Sequence, residues 1–136
     1  PALATKLVQS ARRTPVWVFA GADADAAATA ALAAHGCRIL PVTAMDGRPW
    51  LPAVCEALVA EGITRLLVEG GPTLWRGFAM AGLVDEVYCY RAQSRDVTAA
   101  VASAYSDVAA LGPAHAFDLA QTRQLGTDGL YVFYRK

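Results

Sequence analysis

The stretch Leu66-Leu-Val-Glu-Gly-Gly-Pro-Thr-Leu-Trp75 holds the residues best placed to do chemistry. An apolar run of interior-strand character leads straight into Glu69, and ligands of open α/β sheets gather outside the carboxyl ends of such strands. A carboxylate there accepts hydrogen bonds from a hydroxylated or amine-bearing substrate. Gly70 and Gly71 allow a sharp turn and let the backbone approach a ligand with no Cβ in the way. Pro72 suits the first helical position, where its fixed φ helps and its missing N–H costs nothing. The N–H groups of Thr73, Leu74 and Trp75 are then expected to face an anion, with the helix dipole favouring negative charge. A phosphate or pyrophosphate fits that chemistry. The same turn also serves as a plain strand-to-helix connection, and Glu69 as a solvated carboxylate; the residues alone leave both readings open. The pattern is neither a Walker A loop, which places Lys after its last Gly, nor a G-x-G-x-x-G fingerprint.

The elements that must position this turn follow from the apolar patterning. Residues 15–20 form a short run of β-formers ending at Gly21. Asp23 or Asp25 then offers an N-cap for an alanine-rich helix closed by His35-Gly36. A second apolar run covers 37–42, a loop with two prolines 45–52, and a helix 52–61. The third strand is expected over 64–69, directly before the turn, with the next helix ending at Gly82. A Val/Tyr-rich strand follows at 85–90, then a helix over 97–111. Two alternating runs, 117–124 and 130–134, predict a β-hairpin turning around Asp128-Gly129. Strands alternating with helices predict a mostly parallel sheet covered on both faces, with the hairpin antiparallel to it.

Composition bounds the class. The chain has 136 residues, 55% of them hydrophobic, with 12 basic and 12 acidic side chains. That length suits one domain with a core that needs no staples. A balanced charge with no basic run argues against nucleic acid or a membrane surface as partner. The hydrophobic fraction owes much to 29 alanines, and no uninterrupted apolar run reaches the ~20 residues of a spanning helix. Cys37, Cys55 and Cys89 are widely spaced, odd in number and without a C-x-x-C pair, which reads as reduced thiols in a reducing compartment. With only His35 and His115 beside them, no finger-like zinc set is available. The expectation is a cytoplasmic α/β protein without a metal.

Val68-Glu-Gly-Gly-Pro-Thr-Leu74, followed by Ala81-Gly-Leu-Val-Asp-Glu86, resembles the reductase domain of the bacterial riboflavin-biosynthesis deaminase/reductase, a family related in fold to dihydrofolate reductase. Lys6-Leu-Val8 and Arg13-Thr-Pro-Val-Trp-Val-Phe19 match it near the start, and Arg123-Gln-Leu-Gly-Thr-Asp-Gly-Leu-Tyr-Val132 near the end. The resemblance implies a three-layer α/β fold with a mostly parallel sheet, helices on both faces and a C-terminal antiparallel β-hairpin. It implies NADPH-dependent reduction of the ribosylamino group of a phosphorylated aminopyrimidine to ribitylamino. Glu69 would contact the substrate. Gly71, Pro72, Thr73, Leu74, Trp75, Arg76 and Gly77 would wrap the dinucleotide phosphates. Arg76 suits a phosphate partner by its guanidinium, or is a plain exposed helix residue. Trp75 and Trp17 read as packing residues.

Two departures from the family pattern stand out. Family members carry further strands ahead of the part matching Pro1, so the chain reads as a truncated reductase domain, 1–136, with its N-terminal strands missing. After Tyr90 the family has Ala-Pro and a Gly-rich basic loop, where this sequence has Arg91-Ala-Gln-Ser-Arg-Asp96. No H-x-E or P-C-x-x-C deaminase signature occurs. Two alternatives stand beside the reductase: a catalytically incomplete nucleotide-binding or dimer-forming remnant, and a related reductase with another small-molecule substrate. Exposed edge strands and the Val/Tyr-rich 87–90 segment fit a homodimer.

Overall fold

A computed structural model describes residues 2–91 and 117–136. The chain divides into two compact units, Pro1–Leu66 and Leu67–Lys136.

The first unit is built on a βαβ element. Strand β1 (Trp17–Ala20) pairs in parallel with β2 (Arg38–Pro41), Trp17 opposite Arg38 and Ala20 opposite Pro41. Helix α2 (Ala26–Ala34) connects them. Its N-cap is Asp25, whose Oδ1 accepts from the N–H groups of Ala27 at 2.8 Å and Ala28 at 3.3 Å. That cap matters because alanine supplies helix propensity but little area to bury. The helix stops at Gly36, whose φ of +97° is open to glycine at little cost. A short helix α1 (Lys6–Gln9), capped by Thr5, supplies Val8 to a core cluster with Ala11, Val16 and Cys37. Val18, Leu32 and Ile39 pack against it. Helix α3 (Leu51–Ala60) buries Val54 and Leu58, four residues apart on one face. Arg38 ties this helix to β2, its guanidinium donating to both oxygens of Glu61 at 2.6 and 2.5 Å. The same guanidinium lies 5.4 Å from the Trp17 ring centroid. Hydrogen bonding to Glu61 raises the Arg38 pKa further, so this cation is permanent.

In the second unit, helix α4 (Pro72–Met80) precedes an antiparallel sheet ordered β5-β7-β6. Strand β5 is Glu86–Arg91, β6 Phe117–Leu125 and β7 Asp128–Arg135. Being central, β7 is buried on both faces: Val132 and its neighbour Phe133, which point to opposite sides, are 2% and 3% exposed. Arg135 secures the turn after α4, donating from its side chain to the Gly82 carbonyl and from its backbone to the Asp85 carbonyl at 2.8 Å.

Several expectations change. The α/β content and the terminal antiparallel hairpin are present, but the described strands form three small sheets, and only β1–β2 is parallel. Residues 64–69 form no strand. Composition suits them to one, yet a strand exists only through a ladder, and they have none among the described residues; Leu67 is 74% exposed. The terminal hairpin turns at Gly126-Thr127 rather than Asp128-Gly129, because Gly126 takes φ +62° at the first turn position while Asp128 already pairs with Leu125. Residues 45–52 are not one loop. They contain a hairpin, β3 (Ala44–Met45) with β4 (Arg48–Pro49), and the start of α3 at Leu51. Asp46 and Gly47 turn it with φ of +52° and +69°, the pair of positive values a tight two-residue hairpin needs. The helix expected over 97–111 lies outside the described residues.

Candidate functional site

The Gly-Gly-Pro turn does launch a helix. Gly71 is the N-cap of α4, with φ −72° and ψ 176°, and Pro72 takes the first helical position. Extended backbone is also what a residue preceding proline requires. The helix starts without a side-chain cap. Of the three N–H groups expected to face a ligand, two are occupied: Leu74 and Trp75 donate to the Gly71 carbonyl at 3.0 and 3.4 Å. A tightened first turn explains this, since an i→i+3 bond consumes one of the donors a helix start leaves over. Thr73 keeps its N–H without a partner among the described residues. The set of donors left open at this helix start is therefore narrower than the sequence suggests, with Thr73 the one of the three that stays open among the described residues.

The two glycines have different jobs. At Gly70 a Cβ would sit 2.4 Å from Leu74 Cδ2 and 3.0 Å from Leu74 Cβ, so the missing side chain lets Leu74 fold back on the turn. At Gly71 a Cβ would meet nothing within 4 Å. Packing explains the first glycine and does not explain the second. Glu69, Thr73 and Arg76 are exposed, Trp75 and Gly77 half-buried, and Phe78 buried. Arg76 makes no ion pair among the described residues. Trp75 in its half-buried setting is consistent with packing. Glu69, at the end of an extended segment directly before the turn, is accessible to a ligand.

Elsewhere the described residues contain no group of three or more His, Cys, Asp and Glu side chains that could hold a metal ion. Nor do they contain a helix long and apolar enough to cross a membrane. Burial pushes the Cys55 thiol pKa up, away from the reactive thiolate. The element missed by sequence reasoning is the β3–β4 hairpin, which packs on the carboxyl end of β1: a Cβ at Gly21 would lie 2.7 Å from Ala44 Cβ. Asp46-Gly47 is the signal that could have revealed it.

A parallel βαβ unit, a glycine turn opening a helix and an antiparallel terminal sheet together define an α/β protein with an anion-type helix start. Comparison with known proteins carries this further. Residues 3–92 match the family model described as the RibD C-terminal domain. The riboflavin biosynthesis protein RibD of Bacillus amyloliquefaciens is 33% identical over 76 residues, 56% of this chain and 20% of that relative. The chain belongs to the RibD C-terminal domain family, as its motifs suggested. It spans about a fifth of the length of the curated relative it matches.

Proposed function

We propose that this chain is a reductase domain of riboflavin biosynthesis that uses NADPH to convert the ribosylamino group of a phosphorylated aminopyrimidine to ribitylamino. The observation that carries the reading is the open start of α4, where Gly71 leaves room for a Cβ that no neighbour would touch. Packing among the described residues makes no use of that space. A phosphate approaching the backbone does, and it would find the Thr73 N–H, the uncapped helix end and its dipole. These features fit a dinucleotide phosphate. Gly71, Pro72, Thr73, Leu74, Trp75, Arg76 and Gly77 would hold it, with Thr73 donating from its backbone. Bound NADPH would supply the hydride. Glu69 would accept hydrogen bonds from the ribosyl hydroxyls or the amino group of the substrate and so orient it. Family membership over residues 3–92 supports the substrate class, and the same membership supports the dihydrofolate-reductase-like, three-layer arrangement. Strand β5, outermost among the described strands of its sheet and bearing the exposed Tyr90, supports a homodimer.

The deciding experiment follows NADPH absorbance while the chain is mixed with the phosphoribosylamino-pyrimidine. Substrate-dependent oxidation is expected, with Glu69→Gln raising KM for the pyrimidine but not the affinity for NADPH. Binding of NADPH with no oxidation would make the chain a nucleotide-binding remnant. Oxidation with a different substrate only would move it to a related reductase.

A further inference from the structure

Strand β6 lies on the other side of β7 from β5 and pairs with no further strand among the described residues. It runs nine residues, and all but Phe117 are exposed. The two-residue turn into β7 sets which of its backbone groups look outward. Leu125 and Asp128 close that turn as a hydrogen-bonded pair. Steps of two along β7 then make Arg123–Leu130 and Asp118–Tyr134 hydrogen-bonded pairs as well. Phe117, Leu119, Thr122 and Gln124 therefore point their N–H and C=O groups away from β7, and they make no other backbone hydrogen bond among the described residues. A bulge between Leu119 and Gln121 falls in the middle of this edge. It also puts Asp118 and Arg123 on one face of the sheet, because their partners Tyr134 and Leu130 are an even number of residues apart.

This edge is complementary to itself. Laid antiparallel against a second copy, Phe117 falls opposite Gln124 and Leu119 opposite Thr122, with a two-fold axis at the bulge. That register engages all four outward-facing residues of both copies. It also makes Asp118 of one copy and Arg123 of the other a non-hydrogen-bonded pair, the kind whose side chains come closest. Arg123 is exposed and makes no ion pair among the described residues. Asp118 gives one oxygen to Lys136 at 3.0 Å and is still 71% exposed. We infer that β6 is the contact through which a second copy of this chain docks, the two antiparallel sheets joining edge to edge and Asp118 of each copy meeting Arg123 of the other. The inference rests on the homodimer reading above and adds to it the strand and the register of the contact. An open edge of this length would accept many strands, and the crossed charges make the chain's own β6 the preferred one.

Sedimentation equilibrium of the full chain over a concentration series at low salt tests this, with far-UV circular dichroism confirming that each variant is folded. Asp118→Arg and Arg123→Asp each turn two attractive pairs between the copies into two repulsive ones. The dissociation constant of the dimer should rise at least about tenfold in either. The doubly reversed protein, Asp118→Arg with Arg123→Asp, faces opposite charges again, and so does an equimolar mixture of the two single variants. Both should associate as tightly as the parent to within about threefold. Thr122→Pro removes an outward N–H while leaving the ladder to β7 intact, and should weaken the dimer about tenfold. Single reversals that leave the dimer unchanged overturn the β6 contact, while the homodimer reading stands. A folded Thr122→Pro protein that dimerises like the parent overturns it too, whatever the reversals do. Weakening that neither the double variant nor the mixture restores overturns the register. A parent chain that is monomeric at every concentration sinks both readings.

Discussion

A methyl group added at Gly71 and one added at Gly70 should affect stability unequally. At Gly71 the new Cβ meets open space among the described residues, and φ and ψ of −72° and 176° suit any L-residue. Alanine narrows the unfolded ensemble, a gain of about 0.4–1 kcal/mol, but is a poorer N-cap than glycine by a similar amount, so stability should change by less than about 0.5 kcal/mol. At Gly70 the methyl group lies 2.4 Å from Leu74 Cδ2 and 3.0 Å from Leu74 Cβ. The Cδ2 end can swing away because Leu74 is partly exposed, but its Cβ is fixed by the first turn of α4. Overpacking of this kind costs about 1–3 kcal/mol, which outweighs the same unfolded-state gain and leaves Gly70→Ala about 1 kcal/mol less stable. Urea unfolding followed by far-UV circular dichroism measures both. Function should reverse the ranking of Gly71→Ala. The methyl occupies the space through which a phosphate would reach the Thr73 N–H, so NADPH affinity should fall at least about tenfold, or ~1.4 kcal/mol. A Gly71→Ala protein that is as stable as the parent and binds NADPH as before would refute the reading of that space as a ligand approach. A Gly70→Ala protein as stable as the parent would refute the Leu74 contact as the reason for the first glycine.

Two further perturbations test the frame around the site. Asp25→Ala removes the Oδ1 that accepts from two N–H groups at the start of α2, and a loss of about 1 kcal/mol is expected in urea unfolding, with Asp25→Asn recovering most of it. Cys55, whose thiol burial pushes toward a higher pKa, should react with iodoacetamide more slowly than a free thiol at about pH 8.5 and match it in denaturant. The linkage follows the same sign: a raised folded pKa contributes stability below the unfolded thiol pKa and loses it as pH rises through the folded one. Cys55→Ser should therefore flatten the decline of stability as pH rises above the unfolded thiol value of about 8.5.

What could be read in the sequence was what local rules decide. Asp25 before an alanine run, Gly36 after it and Gly71-Pro72 before α4 each announce a helix end through a backbone requirement of a single residue. The alternating runs of β6 and β7 announce a hairpin for the same reason, although the conformational freedom of Gly126 outbid Asp128-Gly129 for the turn. Pairing is another matter. Residues 64–69 have strand composition without a ladder, and whether a ladder forms depends on distant residues. Helix α1 spans four residues and β3 and β4 two each, too short for any period to show. The candidate site divides along the same line. Glu69 to Gly77 is contiguous, and its glycine and proline spacing could be recognised at once. The β3–β4 hairpin, in the other unit, could be recognised only once the register Ala44–Pro49 is known. Occupancy of the Leu74 and Trp75 donors likewise depended on how tightly the first turn closes.

The order β5-β7-β6 has a consequence for how this part of the chain is made. The strand that comes last in sequence is the one in the middle. Strand β5 waits for its neighbour β7 while the residues up to Arg135 are synthesised, on the order of seconds at ~5–20 residues per second. Throughout that interval the side of β5 that β7 will cover stays open on the nascent chain. Val132 and Phe133, arriving together, close both faces of the sheet in one event. A pause in translation anywhere between β5 and β7 would prolong that state, whereas one before β5 would not.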